Sequence, residues 1–234
     1  MAGTRRRAQV HAALGDPARL AVVDALRLGD RSPTELAGAL GLASNLLAHH
    51  LAVLSRAGVV DRLGSEADRR RTYVRLRWDA LDGVLGLPGP DADADSAADP
   101  DRRVVFVCTH NSARSQIAAA GWLRLVGRAA ASAGTHPAER VHPGAVAAAA
   151  RHGLDLTGAT TAHLDDVLRP DDLLVAVCDH AYERLDPRPP GTDRSILHWS
   201  VPDPVPVGTA DAFDRALDDL VGRVHRLAPR SSTP

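Results

Sequence analysis

The 234-residue chain is 44% apolar and 24% charged, with a formal net charge of −1 and two cysteines far apart. It has no apolar run near the roughly eighteen residues of a membrane span, no disulfide framework, and, in MAGTRRRAQVHAALGD, neither the apolar core nor the cleavage site of a signal peptide. A cytoplasmic protein of two small domains is expected, with its thiols kept reduced and no membrane partner.

Residues 1–85 hold thirteen Arg against nine Asp and Glu, a balance that suits a nucleic-acid partner. Apolar residues recur at helical spacing over Arg7–Leu28, and Asp16-Pro17 is an N-cap and first-turn pair for a helix to about Leu28. Ser32-Pro-Thr-Glu35 repeats that signal for a helix over Glu35–Leu40, stopped by Gly41. Ala43 or Ser44 opens a third helix to about Ala57, stopped by Gly58, which gives a helix-turn-helix. Val59–Leu63 and Thr72–Leu76 alternate as strands around the basic tip Gly64–Arg71, forming a wing. Arg69, Arg70 and Arg71 are candidate phosphate contacts, or else a solvated edge. Ser44, Asn45, His49 and His50 are candidate base contacts; for the two histidines, packing or phosphate contact is the equal alternative.

Leu14-Gly-Asp-Pro-Ala-Arg-Leu20, Leu47-Ala-His-His-Leu51 and Leu54–Val60 make residues 5–86 similar to the ArsR family of winged-helix repressors. The resemblance implies double-stranded operator DNA as partner and a homodimer through this domain, with Trp78–Leu85 as its terminal helix. The Cys-x-Cys pair of many metal-sensing members is absent from Glu35–Leu40, so arsenite sensing at that position is excluded and no metal site is expected. Leu46, Leu47 and Ala48 make the front of the recognition helix unusually apolar.

Residues 87–101, rich in Pro, Ala and Asp, have no apolar face and are expected to form a flexible acidic tether. After it, over 102–228, strands and helices alternate. Val104–Val107, Ala130–Gly134, Asp172–Cys178 and Ser195–Trp199 read as strands; Ser115–Val126, His142–His152, Thr161–Leu168 and Ala210–Leu227 read as helical. The pattern predicts a three-layer α/β/α sandwich on a four-stranded parallel sheet. Cys108, Cys178 and the segment after Trp199 all fall at the carboxyl edge, where such sheets bind ligands.

Val104–Ser115, VVFVCTHNSARS, is the chemical centre. A strand ends in Cys108, and a C-x5-R loop (Thr109, His110, Asn111, Ser112, Ala113 and Arg114) runs into a helix start. Backbone N–H groups and the helix end favour an oxyanion there and a thiolate at Cys108. Arg114 can grip two oxygens with its planar fork, and Ser115 can donate to the sulfur. Asp203, held extended before Pro204, is either a general acid for the leaving oxygen or part of a turn.

Val107–Gln116, Ser132-Ala-Gly134, Leu174–Cys178 and His198–Pro204 together resemble the low-molecular-weight protein tyrosine phosphatase superfamily, most of all its arsenate reductase branch. The resemblance implies Cys108 as nucleophile, Arg114 as oxyanion ligand, Asn111 as brace of the loop, Ser115 as support of the thiolate and Asp203 as acid. The ligand would be arsenate or phosphate. Turnover would draw on an external thiol (mycothiol/mycoredoxin, glutathione/glutaredoxin or thioredoxin), without a bound cofactor. Val-Pro-Val after Pro204 lacks the aromatic residue with which phosphatases flank a tyrosyl ring. Cys178 matches the resolving cysteine, or is an inert strand residue. The third cysteine of thioredoxin-linked reductases, expected near Leu185, is absent, so an internal three-thiol relay is impossible. Phosphoester hydrolysis and an oxyanion-sensing repressor are the alternatives to arsenate reduction.

Overall fold

The computed structural model describes residues 2–85, 102–185 and 196–228, so the acidic tether expected over 87–101 lies outside the described residues. The chain divides into two compact units, Met1–Gly89 and Pro90–Pro234.

In the first unit the helical spacing of Arg7–Leu28 resolves into two helices, α1 (Ala2–Leu14) and α2 (Pro17–Ala25). They separate because the Asp16 carboxylate accepts the Arg19 N–H at 3.0 Å, while Pro17 has no N–H with which to continue the first ladder. The second helix stops short of Leu28, where Leu26 and Arg27 donate to carbonyls only three residues back. Helix α3 (Pro33–Leu40) starts on a capping box: Glu35 N–H donates to Ser32 Oγ at 3.2 Å, and Ser32 N–H donates to Glu35 Oε2 at 2.6 Å. Gly41, at φ 63°, ends it in the left-handed region and turns the chain into α4 (Ser44–Arg56). Leu47, Leu51 and Leu54 form the buried stripe of α4 and pack with Val22, Val23 and Leu36. The wing is the antiparallel pair β1 (Val60–Gly64) and β2 (Thr72–Leu76), in register Val60↔Leu76 to Gly64↔Thr72, followed by α5 (Trp78–Leu85).

The second unit runs β3 (Val104–Cys108), α6 (Arg114–Val126), β4 (Ala131–Gly134), α7 (Pro143–Arg151), α8 (Leu164–Val167), β5 (Leu173–Ala176), α9 (Asp179–Leu185), β6 (Ile196–His198) and α10 (Ala210–Leu227). The sheet is four-stranded and parallel, in the order β4-β3-β5-β6. All five residues of β3 are buried, as a strand covered on both faces must be. Phe106 packs between Trp122 and Trp199, with ring centroids 6.3 and 5.7 Å away. The connection from β3 runs to β4 on one side and the connection from β5 runs to β6 on the other, so Cys108 stands at the switch point of the sheet, where a crevice opens.

Two expectations change here. The helical piece at Thr161–Leu168 is a single turn, α8, capped by His163. The strand expected to end at Cys178 stops at Ala176, and the chain turns at once into α9, a helix the alternation did not reveal. At the start of the sheet, Arg103 forks onto Asp172 at 2.8 and 2.6 Å and also donates to the Val167 carbonyl. Burial pushes the Asp172 carboxyl up, but the Arg103 fork, the Arg169 N–H and both positive charges outweigh it and hold the group below its ordinary value.

Candidate active site

Cys108 ends β3 with its side chain buried, and the seven-residue run to Arg114 wraps its sulfur. Asn111 N–H donates to Cys108 Sγ at 3.2 Å, and Ser115 Oγ lies 3.1 Å from the same sulfur. The orientation of the Asn111 amide follows from its surroundings: Oδ1 accepts the Ala162 N–H at 2.9 Å, so Nδ2 is the atom that donates to Ser115 Oγ at 2.8 Å. With its oxygen accepting from Asn111, Ser115 has its own proton for the sulfur, the arrangement a thiolate needs. Asn111 pays for this position with a φ of 50°, the only positive value at a non-glycine among the described residues.

The loop is held from outside by backbone bonds. The carbonyls of Cys108, Thr109, His110 and Ser112 accept N–H groups from Thr135, His136, Ala138 and His142 at 2.8–3.1 Å. Outward carbonyls leave the amides of the loop for its interior. Two braces escaped the sequence reading. Gln116 Nε2 donates to the carbonyls of Asn111 and Thr160 at 3.1 and 2.9 Å. At Gly134 a Cβ would stand 2.9 Å from the Thr109 carbonyl and 3.0 Å from the Asn111 nitrogen, so only glycine lets β4 approach the loop. Both lie in motif runs already singled out, Val107–Gln116 and Ser132–Gly134, whose chemistry there rested on the other residues.

Arg114 opens α6 and is buried; Ser115, the expected first residue, is the second. Its Nη1 donates to the Val201 carbonyl at 2.9 Å, and its Nη2 meets Asp203 Oδ2 at 3.0 Å. Asp203 Oδ1 accepts the Val205 N–H at 3.1 Å, and the side chain remains 25% exposed. The two groups expected to bind the oxyanion and to protonate its leaving oxygen are thus paired with each other.

Cys178 is fully buried, with Thr109 Oγ1 3.6 Å from its sulfur and the Ala181 N–H donating to it at 3.4 Å. Burial pushes its thiol up, the Arg114 charge pulls it back, and negative charge at Cys108 pushes it up again. Next to it, Asp179 Oδ1 binds His198 Nε2 at 2.9 Å, with Tyr182 stacked on the imidazole at 4.1 Å.

In the first unit, Ser44, Asn45 and His49 lie exposed on α4. His50 does not join them: it is 7% exposed and its Nδ1 lies 3.8 Å from Asp16, so it packs α4 against the start of α2. Asn45 Oδ1 accepts the Leu46 N–H at 2.9 Å. Arg69, Arg70 and Arg71 are all exposed on the wing, with Arg70 forked onto Asp68 at 3.1 Å on both arms.

A family model described as low molecular weight phosphotyrosine protein phosphatase matches residues 103–232, and a helix-turn-helix domain model matches residues 14–62. An arsenate reductase of Brevibacillus brevis is 34% identical over 130 residues, covering 54% of this chain and 94% of that protein. Arsenate reductase 1 of Bacillus cereus is 33% identical over the same shares. A crystal structure of arsenate reductase from Archaeoglobus fulgidus aligns at 30% identity and a TM-score of 0.46, over 54% of this chain and 98% of that one. With a thiol-centred loop at the switch point of a parallel sheet and a family match over more than half its length, the chain belongs to the low molecular weight phosphotyrosine protein phosphatase family and carries a helix-turn-helix domain ahead of it.

Proposed function

We propose that the chain is a thiol-dependent arsenate reductase fused to a DNA-binding regulator domain. The observation that carries the reading is the Cys108 sulfur held by Ser115 and Asn111, with a second free thiol, Cys178, against Thr109 of the same loop. The names of the relatives in Brevibacillus and Bacillus point the same way.

Arsenate enters the loop and takes the Arg114 fork, which frees Asp203. The Cys108 thiolate attacks arsenic; Asp203, which takes up a proton from solvent once Arg114 has turned to the oxyanion, passes it to the departing hydroxyl, which leaves as water. A second thiolate then attacks Cys108 Sγ. A disulfide forms, the sulfur–arsenic bond breaks with its electron pair on arsenic, and arsenite departs. The two sulfurs are oxidised by two electrons and arsenic is reduced by two. The attacking thiol is Cys178 or an external one, and an external thiol restores Cys108. The chemistry needs free thiols, which fits a reducing cytoplasm. Among the described residues no single helix is long and apolar enough to cross a membrane.

The first unit is assigned to double-stranded operator DNA, bound as a homodimer. Ser44, Asn45 and His49 would face the bases, and Arg69, Arg70 and Arg71 the phosphates. Exposed ion pairs such as Arg70–Asp68 contribute little, so the fork can open for a phosphate.

The test is steady-state turnover of arsenate and of p-nitrophenyl phosphate with glutathione/glutaredoxin, mycothiol/mycoredoxin or thioredoxin. Arsenite production lost in Cys108→Ser establishes the reductase, and Cys178→Ser then identifies the attacking thiol. Ester hydrolysis without arsenite moves the assignment to a phosphatase. Neither activity, together with operator affinity that responds to arsenate, moves it to an oxyanion-sensing repressor.

A further inference from the structure

Beside the thiol loop lies a cavity of about 490 Å³ that an oxyanion in the loop does not fill. His110 and Ser112 form its wall on the loop side, Arg140, His142 and Pro143 form the facing wall, and Val205, two residues after Asp203, also lines it. Among the described residues no carboxylate lines it, whereas an arginine and two histidines do. The facing wall is tied to the loop by the backbone bonds Ala138 N–H to His110 O and His142 N–H to Ser112 O, both 2.8 Å, so the cavity has a set position against the nucleophile. His142 is also fixed in orientation. Its Nδ1 accepts the Gly144 N–H at 3.0 Å and its ring stacks on Phe213 at 5.1 Å, which leaves Nε2 as the donor nitrogen. The volume is that of a small-molecule site, and Val205 offers no aromatic face for a phenyl ring.

We infer that this cavity seats the external reductant, and that the reductant is a small thiol bearing carboxylates, held through them by Arg140 with His110 and His142. The inference rests on the arsenate-reductase reading and adds the class of its co-substrate. The seated thiolate attacks Cys108 Sγ in the arsenic adduct. The new sulfur–sulfur bond forms as the sulfur–arsenic bond breaks toward arsenic. A second equivalent of the same thiol attacks the outer sulfur of the mixed disulfide and frees the Cys108 thiolate. In sum, two thiols and one arsenate give one disulfide, one arsenite and one water.

The test uses the full chain and S-methylglutathione, a thioether that carries both carboxylates and cannot react, titrated by amide NMR. The expected result is binding that perturbs the His110, Ser112 and Arg140 amides, weakens about tenfold for the diethyl ester of the same compound, and weakens about tenfold again in Arg140→Ala. The affinity of the loop for inorganic phosphate should stay within twofold in that variant, which shows an intact fold. Equal affinity for the acid and the ester, or no effect of Arg140→Ala, overturns the inference. Because no turnover is needed, these readouts stand apart from the reductase reading. Conversely, arsenite formed as fast with 2-mercaptoethanol as with glutathione overturns the inference and leaves the reductase standing.

Discussion

Gly134→Ala isolates the close approach of β4 to the thiol loop. The glycine has no left-handed backbone angle, so alanine brings no φ penalty, only its methyl. That methyl would meet the Thr109 carbonyl at 2.9 Å, the Asn111 nitrogen at 3.0 Å and Asn111 Cβ at 3.1 Å, all parts of the loop itself. Carbon contacts relax at about 3.5–4.0 Å, so the loop must move by roughly half an ångström or more. Overpacking of this kind costs about 1–3 kcal/mol, offset by about 0.4–1 kcal/mol from the stiffer unfolded chain. The net loss, between about 0 and 2.6 kcal/mol, leaves a folded protein, since domains have about 5–15 kcal/mol in hand. The catalytic loss should be larger. Among the displaced atoms is the Asn111 nitrogen, whose N–H lies 3.2 Å from Cys108 Sγ, and misplacement on the ångström scale costs on the order of 100-fold in rate. Urea unfolding and arsenite production on the same sample separate the two effects. A variant with more than half the wild-type kcat and an unchanged urea midpoint would refute the argument that this contact positions the loop.

Asp203→Asn should lower kcat by about 10²–10⁴-fold, the usual range for a general acid, while inorganic phosphate binds more tightly because Arg114 loses its carboxylate partner at 3.0 Å; a pair of inhibition and turnover measurements checks both signs. Asp172 is held below its ordinary value in the fold, so its contribution is complete above the unfolded value of about 3.9 and is lost as pH falls below it through the folded value. Urea midpoints taken from pH 6 to pH 3 should therefore fall less steeply in Asp172→Asn than in wild type, and parallel curves would contradict the assignment. Arg69→Ala should weaken binding to any duplex to a similar degree and reduce the slope of log affinity on log salt by about one; a loss confined to one sequence would assign Arg69 to base reading instead.

The parts legible in the chain were those with local signals. Asp16-Pro17 and Ser32-Pro-Thr-Glu35 cap helices through bonds within four residues, so their sequence carries the whole mechanism. Cys108, Arg114 and Ser115 were legible because one short loop brings them together. What escaped depends on distant partners. His50 is the exception: three residues after Leu47 and four before Leu54, it stands on the buried stripe of α4, which the exposed His49 does not, so helical spacing separates the two. The brace at Gly134 comes from a strand on the other side of α6, and the Ala162 N–H that sets the Asn111 amide comes from a loop after α7. Helix α9 escaped because Asp-His-Ala-Tyr-Glu-Arg-Leu is too short for its periodicity to register beside the apolar strand preceding it.

The bonds between the thiol loop and residues 135–142 have one more consequence. They join main chain to main chain, so they make no demand on which side chains stand at 136, 138, 139 and 140. The protein thereby keeps its reactive loop and its choice of visitor on separate hereditary accounts. Drift at 138 and 140, which line the cavity, can recast its charge and shape while the sulfur stays where it is. A single scaffold of this kind can change clientele through a handful of surface substitutions, without passing through a form that has lost its chemistry.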